Sequence, residues 1–467
     1  MSRTSSEPVA GSAGTVRPDA AFRKTFTLTV VTLLVLCAAF LGLTLLQGPK
    51  LSSAQVDATR AVEQSGQLLR LFANQPVATV DAQQVTVEPA TPFTVETSGE
   101  VVALAFTQRL RYNTEYVVTV AGVTSTTGEQ ESTWSYRFAT SAPYVYYLDR
   151  GDVTDDVVRT TVSGTDRQVV WSAPKIQDFG VLGESLAIVN LTLDNTSNLS
   201  MIDPKTNAIE QITLPADGAI SNFAVADTGD QLAFDFTSKD AQPGADYLRT
   251  LLRLDLSVSR EPVAVTGLDG APLSVLDWMY VPGSTDIIAQ DGDQSVLRVD
   301  AAGTILPIGQ YPQLDHVSID GSVLTVADMF GAIAVHLDDL EEERIAPSPL
   351  DGRETFGGEL ELLPDGTWVQ KVIIPSADGG RFDSFLAVDD GETARVVYQT
   401  VRNEGSIERF TLSPNGQYAA IEVVPNVAAS EPDGYFLNAR SRSITTVIVD
   451  LSTGALVRSV DGFGWLW

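Results

Sequence analysis

From Pro143 onward the chain repeats itself. A polar residue stands before a large apolar one, a short β-type run follows, and the chain turns on Gly or Asp into a second strand and an outer hairpin. The instances begin at Asp178-Phe179, Asn222-Phe223, Asp277-Trp278, His316-Val317, Glu359-Leu360, Arg409-Phe410 and Gly462-Phe463, 39 to 55 residues apart. A unit of about 40–50 residues made only of short strands cannot bury its own faces, and stacking such units around an axis gives a β-propeller. The repeat therefore predicts seven blades over residues 143–467. The first blade, from Tyr144 to Trp171, lacks an inner strand of its own, and Phe463–Trp467 is expected to supply it and close the ring.

Two turn types recur inside this region. Phe410–Ala420 and Leu362–Trp368 read as innermost hairpins, whereas Val449–Gly454 and Ile202–Asn207 read as outer ones. The segments around Ser413-Pro414-Asn415-Gly416 and Asp450-Leu451-Ser452-Thr453-Gly454 resemble TolB-type propellers, a WD-like class. That resemblance covers about two thirds of the chain and is densest in the last blade.

Upstream, Phe26–Leu46 carries no charge, and its only polar residues are threonines. About 20 such residues span a hydrocarbon core of roughly 30 Å. Arg23 and Lys24 directly precede the run, with Arg3 and Arg17 further back, so the positive-inside rule places residues 1–25 in the cytoplasm. A single-pass plasma-membrane protein with its bulk outside the cytoplasm is expected. A signal peptide cut near Cys37-Ala38-Ala39, or a lipid on Cys37, are the alternatives; the apolar run continues past the first site, and Leu36 does not suit the second. Cys37 is the only cysteine, so the exported part holds neither a disulfide nor a thiolate metal site.

Between Pro49 and Thr140 the pattern is of short alternating strands such as Tyr116–Val120 and Tyr136–Phe138, with turns at Thr97-Ser98-Gly99 and Thr127-Gly128. The series Phe72–Val77, Val85–Pro89, Leu110–Val120, Gly128 and Phe138-Ala139-Thr140 resembles the bacterial S-layer-type Ig-like module. The resemblance implies a β-sandwich over 49–141 that serves as a spacer or adhesive element without catalytic residues. Tyr112 and Tyr116 are expected in its core and corner. The expected fold class is thus all-β, with a transmembrane helix, an Ig-like sandwich and a seven-bladed propeller.

A formal net charge of −30 leaves no basic surplus for gripping nucleic acid, and it disfavours docking of the folded part on anionic lipid. Enzymatic motifs are sparse. The chain has two histidines, His316 and His336, and no Gly-x-Ser-x-Gly elbow. Zinc needs more His and Cys than this. Calcium would need oxygen ligands such as Asp149, Asp152, Asp155 and Asp156, or Asp291 and Asp293, but neither cluster has full loop spacing. The expectation is a chain that is not an enzyme and needs no cofactor or metal.

Aligning the repeats puts Asp178, Asn222, Asp277, His316, Glu359 and Arg409 in one slot of successive inner strands, with Gly462 in the seventh. Such residues would ring one mouth of the channel and suit a cation, an amine or a basic peptide. Alternatively, they satisfy backbone groups at strand starts. The loops Pro425–Arg442, with Glu431, Asp433, Tyr435 and Phe436, and Ser238–Tyr247 are candidate contact segments. The leading reading is a non-catalytic surface binding or scaffold protein for an unknown protein or cell-envelope ligand. An extracytoplasmic enzyme acting on a glycan or small molecule in the channel, and a sensor subunit coupled to a membrane partner, are the alternatives.

Overall fold

Strands dominate the computed structural model, which describes residues 20–45, 48–241, 247–350, 352, 355–375 and 382–467. The chain divides into two units. One takes Met1–Asp57, Gly66–Gln108 and Glu115–Ala139, and the other takes Ala58–Ser65, Arg109–Thr114 and Thr140–Trp467.

The first unit begins with the helix α1 (Ala20–Leu45). Its side chains are described over residues 23–37 only, and among the described residues no helix is long and apolar enough to cross a membrane. Two antiparallel sheets follow. Leu51–Gln55, Leu68–Ala73, Val101–Phe106 and Phe93–Ser98 pair in that order, and Val85–Glu88, Glu115–Ser125 and Gly128–Ala139 form the other sheet. Alternate residues of Val101–Phe106 are buried, as the two-residue period of a strand requires when only one face meets a core. Phe106 of the first sheet meets Phe138 of the second with ring centroids 6.3 Å apart, and Tyr116 stacks on Phe138 at 5.4 Å. Tyr116 is a core residue, as its sequence context suggests. Tyr112 differs: it falls in the second unit, where its ring stacks on Tyr418 with centroids 6.2 Å apart.

The second unit contains seven four-stranded antiparallel sheets among its described residues. Six are built from consecutive strands, the innermost being Ile176–Leu182, Gly218–Val225, Val275–Tyr280, Gln313–Val317, Phe356–Leu362 and Ser406–Leu412. We number these blades two to seven. Blade one is completed from the other end of the sequence: Phe463–Leu466 pairs with Tyr144–Arg150, which continues to Asp155–Thr161 and Gln168–Ala173. The pairing expected of the C-terminal strand is present.

Apolar clusters sit between sheets. Ala187, Val189 and Leu199 of blade two pack with Phe223, Phe234 and Phe236 of blade three. Blades four and five share Ile288, Val296, Leu324 and Val335, and blades six and seven share Val369, Leu386, Phe410 and Ile421. Sheets thus bury their faces against neighbours, which is why the strands are short and rich in Val, Ile, Leu and Phe. Where blade seven meets blade one, Trp467 stacks on Tyr418, and inside blade one Trp465 of the closing strand stacks on Tyr147.

Candidate functional site

A repeated irregularity builds the site. In blades two to five and seven, the pairing of the innermost strand with the second skips one residue immediately before the predicted ring position. The shifts fall between Ile176 and Asp178, Ile220 and Asn222, Val275 and Asp277, Leu314 and His316, and Ile407 and Arg409. In blade six a wider shift separates Gly357 from Leu360 and contains Glu359. A bulge bends the strand and re-aims the next side chain, so one device acts on five polar residues in equivalent places, and a wider form of it holds Glu359.

The carbonyls of the skipped residues need donors, and side chains supply them. Arg150 donates to Gln177 O at 2.9 Å, Asn438 to Ser221 O at 2.9 Å, Arg249 to Leu276 O, and Lys371 to Glu408 O at 3.3 Å. Two ring residues also serve the backbone: Asp178 accepts from Phe179 N and Asp277 from Trp278 N, both at 2.8 Å. Each bond uses one carboxylate oxygen and leaves the residue's charge in place.

The ring charges act on one another. Asp178 is raised to about 6, chiefly by burial, against its bond from Phe179 N and the positive charges of Arg409, Arg150 and Arg440. Asp277 is raised by burial and held back by Trp278 N, Arg249, His316 and Arg409. His316 Nε2 lies 2.7 Å from Glu359 Oε1. Burial pulls the imidazole down, but the Glu359 bond and the charges of Glu361, Glu359 and Asp315 bring it up to about 9. Asn222 is half-buried and Arg409 exposed. The seventh slot is a gap: a Cβ on Gly462 would stand 2.6 Å from Leu148 O and 2.8 Å from the Tyr147 ring, and its φ of 130° suits only glycine.

Several functional candidates escape the sequence reading. Glu361 is 7% exposed, carries no hydrogen bond among the described residues, and is pushed up to about 7 by burial, with His316 opposing and Glu359 adding to the rise. Asp315, the skipped residue of blade five, is raised by burial to about 6 despite a 2.6 Å bond from Gln313 and the charge of His316; its Oδ2 is buried without a partner. The second strands add a polar layer directly across the ladder: Asp235 faces Asn222, Gln290 faces Asp277, Thr325 faces His316 and Glu422 faces Arg409, all four buried. A polar residue set within an apolar run, as Glu422 is in Tyr418–Val424, was the available signal.

Beside the gap at Gly462 lies a chamber of about 850 Å³, lined among others by Asp149, Asp155, Lys175, Leu193, Tyr435 and Phe463. Asp152 also lines it, whereas Asp156 bonds Ser172 and Asp291 caps its own turn at Asp293 and Ser295. Among the described residues no group of His, Cys, Asp or Glu is arranged to hold a metal ion. His336 ends the third strand of blade five and is not part of the ring. Of the two candidate loops, Pro425–Arg442 reaches the chamber, and residues 242–246 of Ser238–Tyr247 lie outside the described residues.

No family model and no curated protein matches the chain. Solved structures do. The β-propeller domain of the Trilobed protease from Pyrococcus furiosus is 10% identical with a TM-score of 0.41, covering 86% of this chain and 93% of that one. Oligogalacturonate lyase from Vibrio parahaemolyticus is 13% identical, TM-score 0.44, covering 63% and 83%. The Myceliophteria thermophila Cps50 (Swd1) β-propeller domain is 14% identical, TM-score 0.38, covering 62% and 88%. At such identities the likeness concerns the propeller fold alone. It also corrects one expectation. Because the similar structures include a lyase and a periplasmic gluconolactonase as well as the Swd1 domain, the inference that this chain is not an enzyme is withdrawn. That inference rested on missing linear motifs, whereas the fold gathers His316 and Asp315 from one strand with Glu359 and Glu361 from another.

Proposed function

We propose that the chain is a membrane-tethered, extracytoplasmic propeller whose ring-bearing mouth binds a positively charged ligand. The observation that carries this reading is the gathering of carboxyl groups at one mouth: burial raises Asp178, Asp277, Asp315 and Glu361, and Glu359 lies against His316 in the same ring. An amine or guanidinium would lower the cost of keeping these carboxylates ionised. Asp178→Asn together with Asp277→Asn is expected to weaken binding of such a ligand; unchanged affinity would reject the ring as its site.

The anchor is part of the same proposal. Phe26, Leu28, Val31, Leu33, Leu34 and Val35 are exposed on α1, a surface suited to lipid. Thr27, Thr29 and Thr32 donate to the carbonyls of Arg23, Thr25 and Leu28, the four-residues-back bonding that hides hydroxyls in an apolar medium. The two-sheet unit would then act as an Ig-like spacer in the manner of S-layer modules.

A second reading is favoured by Glu361 and His316. A carboxyl near 7 beside an imidazole near 9 gives the mouth a proton donor and acceptor at neutral pH. This supports acid–base chemistry on a glycan or small molecule. Turnover in a substrate screen that disappears with Glu361→Gln would favour it over simple binding.

A further inference from the structure

The loop between the second and third strands of blade seven does not stay on its own blade. Within it, Asp433 N bonds Arg440 O at 2.9 Å and Arg442 N bonds Glu431 O at 2.8 Å, which folds residues 431–442 into a hairpin. The hairpin crosses blades one and two and ends on blade three. On blade one, Arg150 Nη1 is paired with Asp433 at 2.5 Å, with the two side chains only 5% and 8% exposed. The same guanidinium lies 3.5 Å over the Tyr435 ring, and Tyr435 OH bonds Asp155. On blade three, Asn438 fills the donor role that Arg249 and Lys371 fill for blades four and seven.

This strap delivers one cation to the ring. Arg440 lies 5.5 Å over Phe463, beside the empty slot at Gly462, and its charge acts on the carboxyl of Asp178. Its seating is imperfect. Glu422 Oε2 is 4.0 Å away, and both that oxygen and Arg440 Nε are buried without a hydrogen bond. Arg440 is partly exposed, and Glu422 keeps the bond that its Oε1 accepts from Gly464 N at 2.8 Å, so the carboxylate is not left bare when the guanidinium moves away. The outer rim nearby is apolar: Val153, Leu193 and Phe436 are all largely exposed.

We propose that the strap is an internal competitor for the mouth: Arg440 occupies the place of an incoming guanidinium, and an arginine-bearing segment of a partner protein enters by exchanging with it. The inference rests on the reading of the mouth as a cation site. The apolar rim would take the flanking residues of that segment, and Arg150 would hold the strap by its other end.

The test uses the full chain in mild detergent and the peptide acetyl-Gly-Arg-Gly-amide, with the citrulline peptide as its uncharged counterpart. Arg440→Gln is expected to tighten binding of the arginine peptide roughly tenfold, and Asp433→Asn to tighten it while speeding amide exchange across residues 431–442. Asp178→Asn with Asp277→Asn should abolish the gain, and the citrulline peptide should bind none of the variants. Equal affinity in wild type, Arg440→Gln and Asp433→Asn, with a loss in the double Asp variant, would overturn the strap and leave the mouth as the site. Failure of the arginine peptide to bind any form would overturn both. Cooperative unfolding of Arg440→Gln well above the assay temperature excludes a folding defect as the source of a null result.

Discussion

His316 and Glu359 share a hydrogen bond of 2.7 Å across the boundary between blades five and six, 43 residues apart in sequence. Removing the acceptor charge should release the imidazole. Glu359→Gln is expected to bring His316 down from about 9 toward its ordinary 6.5. Titration of the ring resonances by NMR would show it, and an unmoved midpoint would mean that Glu359 does not hold the proton there.

The same cluster gives stability a pH dependence. Glu361 is raised from 4.5 to about 7 and His316 from 6.5 to about 9, so both bind protons more tightly in the folded chain. Stability from such groups is complete below the unfolded pKa and is lost as pH rises through the folded one. The loss should therefore run from about pH 4.5 to 7 for Glu361 and from 6.5 to 9 for His316. Their joint contribution to unfolding free energy is expected to fall across that range by an amount on the order of 1 kcal/mol or more. Glu361→Gln should flatten the lower part of that fall in denaturant titrations run at a series of pH values. A variant with an unchanged profile would discount Glu361 as a contributor.

Closure of the ring can be tested at Trp465, which stacks on Tyr147 with centroids 5.7 Å apart and planes within 10°. Trp465→Ala should cost about 3–5 kcal/mol. Deleting Phe463–Trp467 should open blade one and lower the melting temperature further. Wild-type stability in the truncation would show that the closing strand is dispensable.

Gly462 makes a separate prediction. Gly462→Ala places a methyl group against Leu148 O and Tyr147 at a backbone angle few other residues adopt. A loss of about 1–3 kcal/mol is expected from strain. Denaturant unfolding would measure it, and a neutral result would contradict the close approach.

Placement of α1 in lipid predicts that the full chain sediments with membranes and stays there in alkaline carbonate. A chain starting at Pro49 should be released into the soluble fraction. Recovery of the intact chain in solution would remove the anchor from the proposed function.

Much of the propeller could be read from residues because its units repeat, and each carries a polar residue ahead of an apolar one. Asp178, Asn222, Asp277, His316, Glu359 and Arg409 were visible for that reason. Glu361 was not: in Glu359-Leu360-Glu361 it has the spacing of any polar strand position, and only tertiary packing makes it buried. Nor was the strap legible as such. Arg150 and Asp433 are 283 residues apart, and nothing local in either segment names the other. Missing motifs were also too narrow a ground for excluding catalysis. A search for contiguous motifs cannot detect groups that two strands of different blades bring together.

The placement of Phe463–Leu466 beside Tyr144–Arg150 joins stretches separated by nearly the whole propeller. As the polypeptide emerges, the earliest blade must wait for the latest one before its edge is covered. Until then Tyr144–Arg150 offers unpaired backbone groups to any neighbouring chain, so crowding during synthesis threatens this protein at blade one before any other blade.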